Sequence, residues 1–138
     1  RYKRSLSAIM IDADHFKAVN DNYGHAVGDQ ALIALTSTCQ KLIRASDFVG
    51  RLGGEEFAIC CPDTSQDGAH LLADRIRQAI ADMTIEHEGL SLKLTVSMGV
   101  TEAREEDNAF SALLDRADKL LYHAKQSGRN RVTSSSQK

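Results

Sequence analysis

The chain has 138 residues, of which 42% are hydrophobic and 26% charged, and its formal net charge is −2. This length suits one compact domain, and the charge excludes a broad basic surface for nucleic acid or for direct membrane contact. No apolar stretch is long enough to span a bilayer, and no signal peptide is recognisable. Three cysteines without CxxC spacing (Cys39, Cys60 and Cys61) predict buried, reduced thiols in a reducing compartment, expected to be the cytoplasm.

The first half of the chain predicts two helices between strands. In order, the predicted elements are a strand over 5–12, helices over 15–20 and 29–44, and strands over 48–52 and 57–61. Asp14 is expected to cap the first helix. Gly53 and Gly54 predict the turn of a hairpin, because glycine reaches positive φ without steric cost.

The second half predicts a similar alternation. Its elements are a helix over 69–83, a weak strand over 85–88, a strand over 92–100, a helix over 108–125 and an edge strand over 131–133. Residues 134–138 predict a disordered polar tail, which leaves one domain over 1–133. The order βααββαββαβ predicts an α+β sandwich, with a central, mostly antiparallel sheet and helices packed around it.

Acidic residues at the end of the first strand and after the hairpin turn are candidate metal ligands. Asp12 ends a buried strand, where its side chain can reach past the sheet edge into a cleft. The amides of the following turn suit phosphate oxygens, and Lys17 adds a positive charge. Glu55 and Glu56 can hold a metal against a bound phosphate. Taken separately, these residues also fit a capped helix with a surface lysine and a solvated hairpin.

A second group of polar residues surrounds the break between the first two helices. Asn20 and Asp29, with His25 between them, carry the acceptors and donors needed to bind a guanine edge. Turn chemistry around Tyr23 and Gly24 explains each of them equally well when it is taken singly.

Two further groups combine cations with a helix end. Arg44 and Asp47 precede the hairpin, and the planar arginine fork suits guanine or phosphate. Lys125 and Arg129 flank Gly128 and suit a triphosphate tail. Each arrangement also fits a cationic helix C-terminus that complements the helix dipole.

Five segments in order along the chain carry the pattern of a known family. They are residues 12–21 (DADHFKAVND), 24–29 (GHAVGD), 44–47 (RASD), 51–57 (RLGGEEF) and 122–132 (YHAKQSGRNRV). Together they resemble the GGDEF domain family of diguanylate cyclases over nearly the whole chain. The resemblance implies a palm or nucleotide-cyclase-like fold and the condensation of two GTP into cyclic di-GMP and two pyrophosphates.

The resemblance also implies a role for each matching residue. The metal ligands would be Asp12, the Ala13 carbonyl and Glu55, with Mg²⁺ as the ion and Mn²⁺ as an alternative. The catalytic residues would be Glu55, Glu56 and Lys17. The substrate-binding residues would be Phe16, Asn20, His25, Asp29, Gly53, Gly54, Lys125 and Arg129. The allosteric site for product inhibition would contain Arg44, Asp47 and Arg75, with Arg77 as a weaker alternative.

The resemblance sets expectations about partners as well. Family members usually begin with a D-x-LTGL-x-NRR segment that this sequence lacks, so we expect a domain excised from a longer protein with an upstream sensory domain, which could anchor the parent to a membrane. One domain binds one GTP, so catalysis would need a homodimer, with cyclic di-GMP as product and inhibitor.

Three alternatives stay open at this point. The first is a catalytically silent GGDEF domain that senses GTP or cyclic di-GMP, against which the intact Glu55–Glu56 pair argues. The second is another palm-like nucleotidyltransferase or class III-type cyclase, which does not predict the segments at 44–47 and 128–130. The third is a purely structural partner domain.

Overall fold

The computed structural model describes residues 4–135 and shows a mixed sheet with helices on both faces. The elements are β1 (Leu6–Ala13), α1 (Phe16–Tyr23), α2 (His25–Leu42), β2 (Phe48–Gly53), β3 (Glu56–Pro62), α3 (Gln66–Asp82), β4 (Ile85–His87), β5 (Leu90–Leu92), β6 (Val96–Glu102), α4 (Phe110–Gln126) and β7 (Val132–Ser134). Among residues 4–135, five strands form one sheet in the order β2-β3-β1-β6-β7, in which only β6 and β7 pair in parallel. The predicted α+β sandwich is confirmed. Within residues 4–135, no helix has the length and apolarity that crossing a membrane requires.

The predicted strand over 92–100 is two strands in the structure. β5 pairs with β4 in a separate two-stranded sheet, whereas β6 pairs with β1 in the main sheet. Glu88 and Gly89 adopt positive φ at the tip of the small hairpin, which reverses the chain there. Because the chain changes partners over 93–95, the observed order contains one strand more than predicted.

The start of α1 and α2 also differs from prediction. α2 begins at His25, a turn before the predicted start at residue 29, after a sharp bend at Gly24 with φ 94°. The cap predicted at Asp14 is wrong: His15 holds the N-cap position with φ 56°, and no side chain caps the helix. The Asp14 carboxylate is instead buried, and two hydroxyl groups and one backbone amide donate hydrogen bonds to it.

The first two residues of the predicted disordered tail, Ser134 and Ser135, are bound to the main sheet. Ser134 lies in β7 opposite Val100, and the Ser135 amide donates a hydrogen bond to the Val100 carbonyl at 3.3 Å. The edge of β6 provides hydrogen-bond partners for these residues. This pairing could not be predicted from a short polar sequence. The remainder of the predicted tail lies outside the described residues.

Alternating side chains of the sheet serve two cores. Ile9 and Ile11 of β1 face the larger core with α2 and α3, whereas Met10 faces α4 with Ala117 and Leu121. Gly99 of β6 allows α4 to press directly on the sheet. A Cβ added at Gly99 would lie 2.2 Å from the Ala117 carbonyl oxygen and 2.4 Å from the Leu121 nitrogen. This close approach brings the C-terminal end of α4 to the end of β1.

The cysteines form no disulfide, as predicted. Cys39 and Cys61 are buried, and burial raises the pKa of each thiol to about 12. Cys60 is half-buried rather than buried, because its side chain points to the opposite face of the edge-proximal strand β3.

Candidate active site

The centre of the site is a carboxylate at the end of β1. Asp12 is 4% exposed, and its Oδ2 accepts a hydrogen bond from Lys125 Nζ of α4. The other oxygen, Oδ1, is buried and has no hydrogen-bond partner among residues 4–135. Buried charged oxygens are ordinarily paired or bound to a metal, because their desolvation costs several kcal/mol. Asp12 Oδ1 is therefore a suitable ligand for a cation.

The hairpin brings two more carboxylates to Asp12. Glu56 is the residue opposite Asp12 in the β1–β3 pairing, and Glu55 precedes it in the turn. Burial raises the pKa of Asp12, the Lys125 hydrogen bond and charge lower it, and the charges of Glu55 and Asp14 raise it. The structure thus brings together Asp12, Glu55, Glu56 and Lys125, as the sequence predicted.

A further acid near the site, Asp118 of α4, was not predicted from the sequence. Burial is the largest influence that raises the pKa of Glu56, and Asp118 is the next. Leu114 packs on the sheet near Ala58, and Lys125 reaches Asp12, so Asp118 falls between them on the same helix face. The seven-residue spacing from Asp118 to Lys125 is the signal that could have revealed it.

The donor set suits magnesium bound together with a phosphate. Among residues 4–135, no three His, Cys, Asp or Glu side chains are grouped so that they could hold a metal ion. Mg²⁺ is usually bound through one or two carboxylates and substrate phosphates, and it keeps several waters. Asp12 with its unpartnered oxygen, the adjacent Ala13 carbonyl at the end of β1, and half-buried Glu55 fit that pattern.

The hairpin turn presents Glu55 at its tip. The turn residues are Gly54 and Glu55, whereas Gly53 already pairs with Glu56 across the hairpin. Gly54 has φ 52°, and Arg51 Nε donates a hydrogen bond to its carbonyl at 2.9 Å. A Cβ added at Gly53 or Gly54 would meet nothing within 4 Å, so a ligand has free access to this backbone.

The crossing of α1 and α2 positions the predicted guanine-binding residues. A Cβ added at Gly28 would lie 1.9 Å from Asn20 Oδ1 and 3.2 Å from Phe16 Cζ. Only glycine allows Asn20 to lie this close to position 28, the residue before Asp29 in α2. Phe16 is only 8% exposed and packs in the core beside this crossing. Its role as a substrate-binding residue stays a prediction.

Asp29 also lines a groove of about 730 Å³ beside the edge strand β2. The groove lies between α2 and β2, and Leu32, Arg51 and Phe57 contribute to its walls. Its size is that of a small-molecule site. His25 is exposed at the first turn of α2 and does not line this groove.

The predicted cations do not all converge on Asp12. Lys17 pairs with Asp21 at 3.0 Å, and its side chain is 88% exposed. Arg129 is exposed in the loop after α4, where it has φ 65°. Of the three predicted phosphate-binding cations, Lys125 alone contacts Asp12 in the described part of the chain.

The predicted inhibitory residues line a separate cavity. Arg44, Asp47 and Arg75 all contribute to a cavity of about 630 Å³ between the start of the hairpin and α3. Arg44 Nη2 donates hydrogen bonds to Thr64 Oγ1 at 2.6 Å and to the Pro62 carbonyl at 2.9 Å. The structure therefore unites the predicted residues and selects Arg75 as the arginine that reaches this cavity.

Asp47 in this cavity resembles Asp12 in one respect. Asp47 is 6% exposed, and its Oδ2 accepts a hydrogen bond from the Arg44 amide at 2.9 Å. Within the described residues, Asp47 Oδ1 has no hydrogen-bond partner, although Arg44 Nη2 lies 3.6 Å away. Arg77 is directed elsewhere, because it donates hydrogen bonds to Asp74 and Asn130.

Comparisons with known proteins identify the family that this chain matches. The family model described as "Diguanylate cyclase, GGDEF domain" matches residues 1–131. Diguanylate cyclase A of Treponema denticola is 41% identical over 131 residues, which cover 95% of this chain and 35% of that protein. The chain thus spans about a third of the length of this curated relative.

Solved structures show the same fold. The active GGEEF domain of a diguanylate cyclase from Vibrio cholerae is similar with a TM-score of 0.90 and 36% identity, covering 98% of this chain and 85% of that one. The GGDEF domain of DgcB from Caulobacter crescentus, solved in complex with c-di-GMP, gives a TM-score of 0.89 and 31% identity, covering 94% and 77%.

Proposed function

Because the chain belongs to the GGDEF domain family of diguanylate cyclases, we propose that it condenses two GTP molecules into cyclic di-GMP with release of two pyrophosphates. The observation that carries this proposal is the buried, unpartnered oxygen of Asp12 beside the Glu55–Glu56 hairpin. A carboxylate in this state is suited to a metal-bound nucleotide rather than to stabilising the fold.

The protein's part in the reaction is to position and neutralise the nucleotide. Each new bond forms when a ribose 3′-oxygen attacks an α-phosphorus in line with the departing pyrophosphate. Glu55 accepts the proton of that hydroxyl, and Glu56 stands beside it. Mg²⁺ held by Asp12, the Ala13 carbonyl and Glu55, with Mn²⁺ as an alternative, would lower the pKa of the hydroxyl and neutralise phosphate charge.

Cations and the backbone of the hairpin hold the triphosphate. Lys125 already lies at Asp12, and Arg129 follows it in the next loop. Lys17 reaches the phosphates only if it leaves its exposed pair with Asp21, which contributes little because water screens it. The open backbone at Gly53 and Gly54 leaves room for phosphate oxygens.

The guanine base binds at the crossing of α1 and α2. Asn20 supplies an amide that donates and accepts, and Asp29 accepts from the N–H groups of the guanine edge. His25 lies at the start of the same helix and closes this end of the site. The close approach of Asn20 to Gly28 fixes the two recognising side chains relative to each other.

Catalysis requires two copies of the domain. One domain binds one GTP, so the two nucleotides meet at an interface with two-fold symmetry. A further sensory domain that brings the copies together is part of this proposal, since the chain spans about a third of the relative from Treponema denticola. Turnover should therefore rise more steeply than linearly with protein concentration.

Product inhibition would act through the cavity of Arg44, Asp47 and Arg75. Two arginines and a carboxylate offer the planar donors and the acceptor that guanine and phosphate groups require. The GGDEF domain of DgcB was solved in complex with c-di-GMP, which supports binding of the product by a domain of this family. The cavity is separate from Asp12 and Glu55, so binding there would regulate at a distance.

The test is incubation of the chain with GTP and Mg²⁺ at several protein concentrations, with chromatography of the products. We expect cyclic di-GMP and pyrophosphate from the wild type and none above background from Glu55→Ala. Asp115→Ala, which removes an exposed acid of α4, is the matched control and should retain turnover. Nucleotide binding without product at every concentration would favour the silent sensor instead.

A further inference from the structure

Asp14, two residues beyond Asp12, joins three distant parts of the chain. It is 4% exposed, and its Oδ2 accepts hydrogen bonds from Thr95 Oγ1 at 2.7 Å and from the Asn130 amide at 3.0 Å. Its Oδ1 accepts a hydrogen bond from Ser97 Oγ at 2.7 Å. Both oxygens are therefore used by the protein, in contrast to those of Asp12.

The loop that Asp14 holds has an unfavourable backbone. Gly128, Arg129 and Asn130 follow one another with φ of 129°, 65° and 48°. A left-handed conformation is unfavourable for most non-glycine residues, and such residues persist only where their surroundings over-determine them. The hydrogen bond from the Asn130 amide to a buried carboxylate supplies that constraint, and it is a strong one because the acceptor is charged.

Asn130 is also held from the outside. Arg77 Nη1 of α3 donates a hydrogen bond to Asn130 Oδ1 at 3.0 Å, and Asp74 orients the same guanidinium at 2.8 Å. The loop is thus fixed at Asn130 by two elements, Asp14 inside and Arg77 outside. The family resemblance placed Arg77 as an alternative inhibitory residue, whereas its contacts connect it to this loop.

Asp12 and Asp14 fix the two ends of one short segment. Asp12 accepts a hydrogen bond from Lys125 near the end of α4, and Asp14 accepts one from the Asn130 amide. Arg129 lies between Lys125 and Asn130, so these two held residues restrict the position of its backbone. The segment carries the two cations available to a bound triphosphate at this side of the site.

We propose that Asp14 is a positioning residue that fixes Arg129 next to Lys125 and thereby makes the site prefer a nucleoside triphosphate over a monophosphate. This inference rests on the proposed function, because it assumes that guanine nucleotides bind beside Asp12. Asp14 itself touches no substrate, since it is buried and both oxygens are occupied.

The experiment compares two ligands by titration calorimetry with Mg²⁺: GMP, and a GTP analogue with a methylene group between the α- and β-phosphates. Asp14→Ala should weaken binding of the analogue about 10-fold, the scale of one lost charge-assisted contact, and leave GMP binding within about 2-fold. Asp14→Asn keeps an acceptor for the Asn130 amide and should restore part of the preference. If Asp14→Ala does not fold, Asp14→Asn should still show a smaller loss in the same direction.

Asp107→Ala is the matched control, because Asp107 also accepts several hydrogen bonds but lies before the opposite end of α4. It should lower stability and leave the ratio of the two affinities unchanged. The inference is overturned if the wild type prefers the analogue and Asp14→Ala keeps that preference, or weakens both ligands equally. A wild type that binds neither ligand overturns the proposed function and this inference with it.

Discussion

A carboxylate contacts each end of α4, and the two carboxylates differ in how completely their oxygens are hydrogen-bonded. Before the first turn, Asp107 accepts hydrogen bonds from Arg116 Nη1 at 2.8 Å and Nη2 at 3.0 Å, and the Arg104 amide adds another at 2.8 Å. In the last turn, Lys125 contacts one oxygen of Asp12, and the other oxygen has no hydrogen-bond partner in the described part of the chain. One carboxylate is fully satisfied and the other is not.

The pKa values follow this difference. The hydrogen bonds of Arg116 and Arg104 lower the pKa of Asp107, whereas burial raises the pKa of Asp12 despite Lys125. A satisfied carboxylate stabilises the fold, and an unsatisfied one destabilises it while remaining available to a ligand. Asp107 therefore stabilises the fold at one end of α4, whereas Asp12 stays available to a ligand at the other end.

The largest expected effect comes from Asp12→Asn. Loss of about 3–5 kcal/mol of transition-state stabilisation would lower the rate of cyclic di-GMP formation by roughly 10²–10⁴. The melting temperature should not fall, because the pKa of Asp12 is raised in the folded state and its ionised form therefore opposes folding at neutral pH. Product chromatography and calorimetry measure the two quantities.

Asp107→Asn should show the reverse behaviour, with a lower melting temperature and turnover per folded molecule within about 2-fold of wild type. Equal losses of activity in the two variants would remove the distinction between the two ends of α4.

The next largest effect is expected where α4 packs on the sheet, at Gly99. Gly99→Ala places a Cβ against the backbone of α4, where a close contact cannot be relieved by side-chain rotation. Overpacking of this kind costs about 1–3 kcal/mol, which urea denaturation measures. Gly50→Ala is the matched control, because a Cβ there meets nothing within 4 Å. A Gly99 variant as stable as the Gly50 variant would show that α4 is not seated as described.

A third carboxylate extends the comparison to the inhibitory cavity, because Asp47 also has a buried, unpartnered oxygen. Arg44→Ala should raise the concentration of cyclic di-GMP that half-inhibits turnover by about 10-fold or more, since a bidentate contact is lost, and should leave turnover itself intact. Inhibition assays across product concentrations measure this. Unchanged inhibition would show that the assignment of this cavity is wrong.

The smallest expected effect is the loss of stability that Asp107 causes in acid. The pKa of Asp107 is lowered from 3.8, so its stabilising contribution is complete above that value and is lost as the pH falls below it. The difference in denaturation midpoint between the wild type and Asp107→Asn should therefore be constant from about pH 7 to pH 5 and narrow towards pH 3. A difference that widens in acid would contradict the assigned contacts.

Local patterns predicted most of the fold. The glycines at 53 and 54 specify a hairpin through backbone freedom, and the apolar spacing of α4 specifies a helix that covers a sheet face. These features depend on neighbouring residues, which the sequence displays directly. The split of the strand over 92–100 was not predictable, because the change of partner from β4 to β1 depends on tertiary pairing.

In the site, too, features that depend on neighbouring residues were predicted, and features that depend on distant residues were not. Asp12, Glu55 and Lys125 were predicted because they lie in recognisable motifs, and the structure brings them together. Asp14 was predicted to be a helix cap because the cap rule uses adjacent residues, whereas its partners lie 81, 83 and 116 positions away. Local propensity does not encode such contacts, so the supporting residues of a site are harder to predict than its ligands.

The central claim is that Asp12 and Glu55 hold one shared metal ion. Electron paramagnetic resonance of Mn²⁺, added with the methylene GTP analogue, can measure metal affinity in the wild type, Asp12→Asn, Glu55→Gln and the double variant. We predict that each single change weakens Mn²⁺ binding roughly 10–100-fold and that the double change weakens it little further, because both ligands serve one ion. Independent, additive losses, or single variants that bind Mn²⁺ like the wild type, would contradict this account.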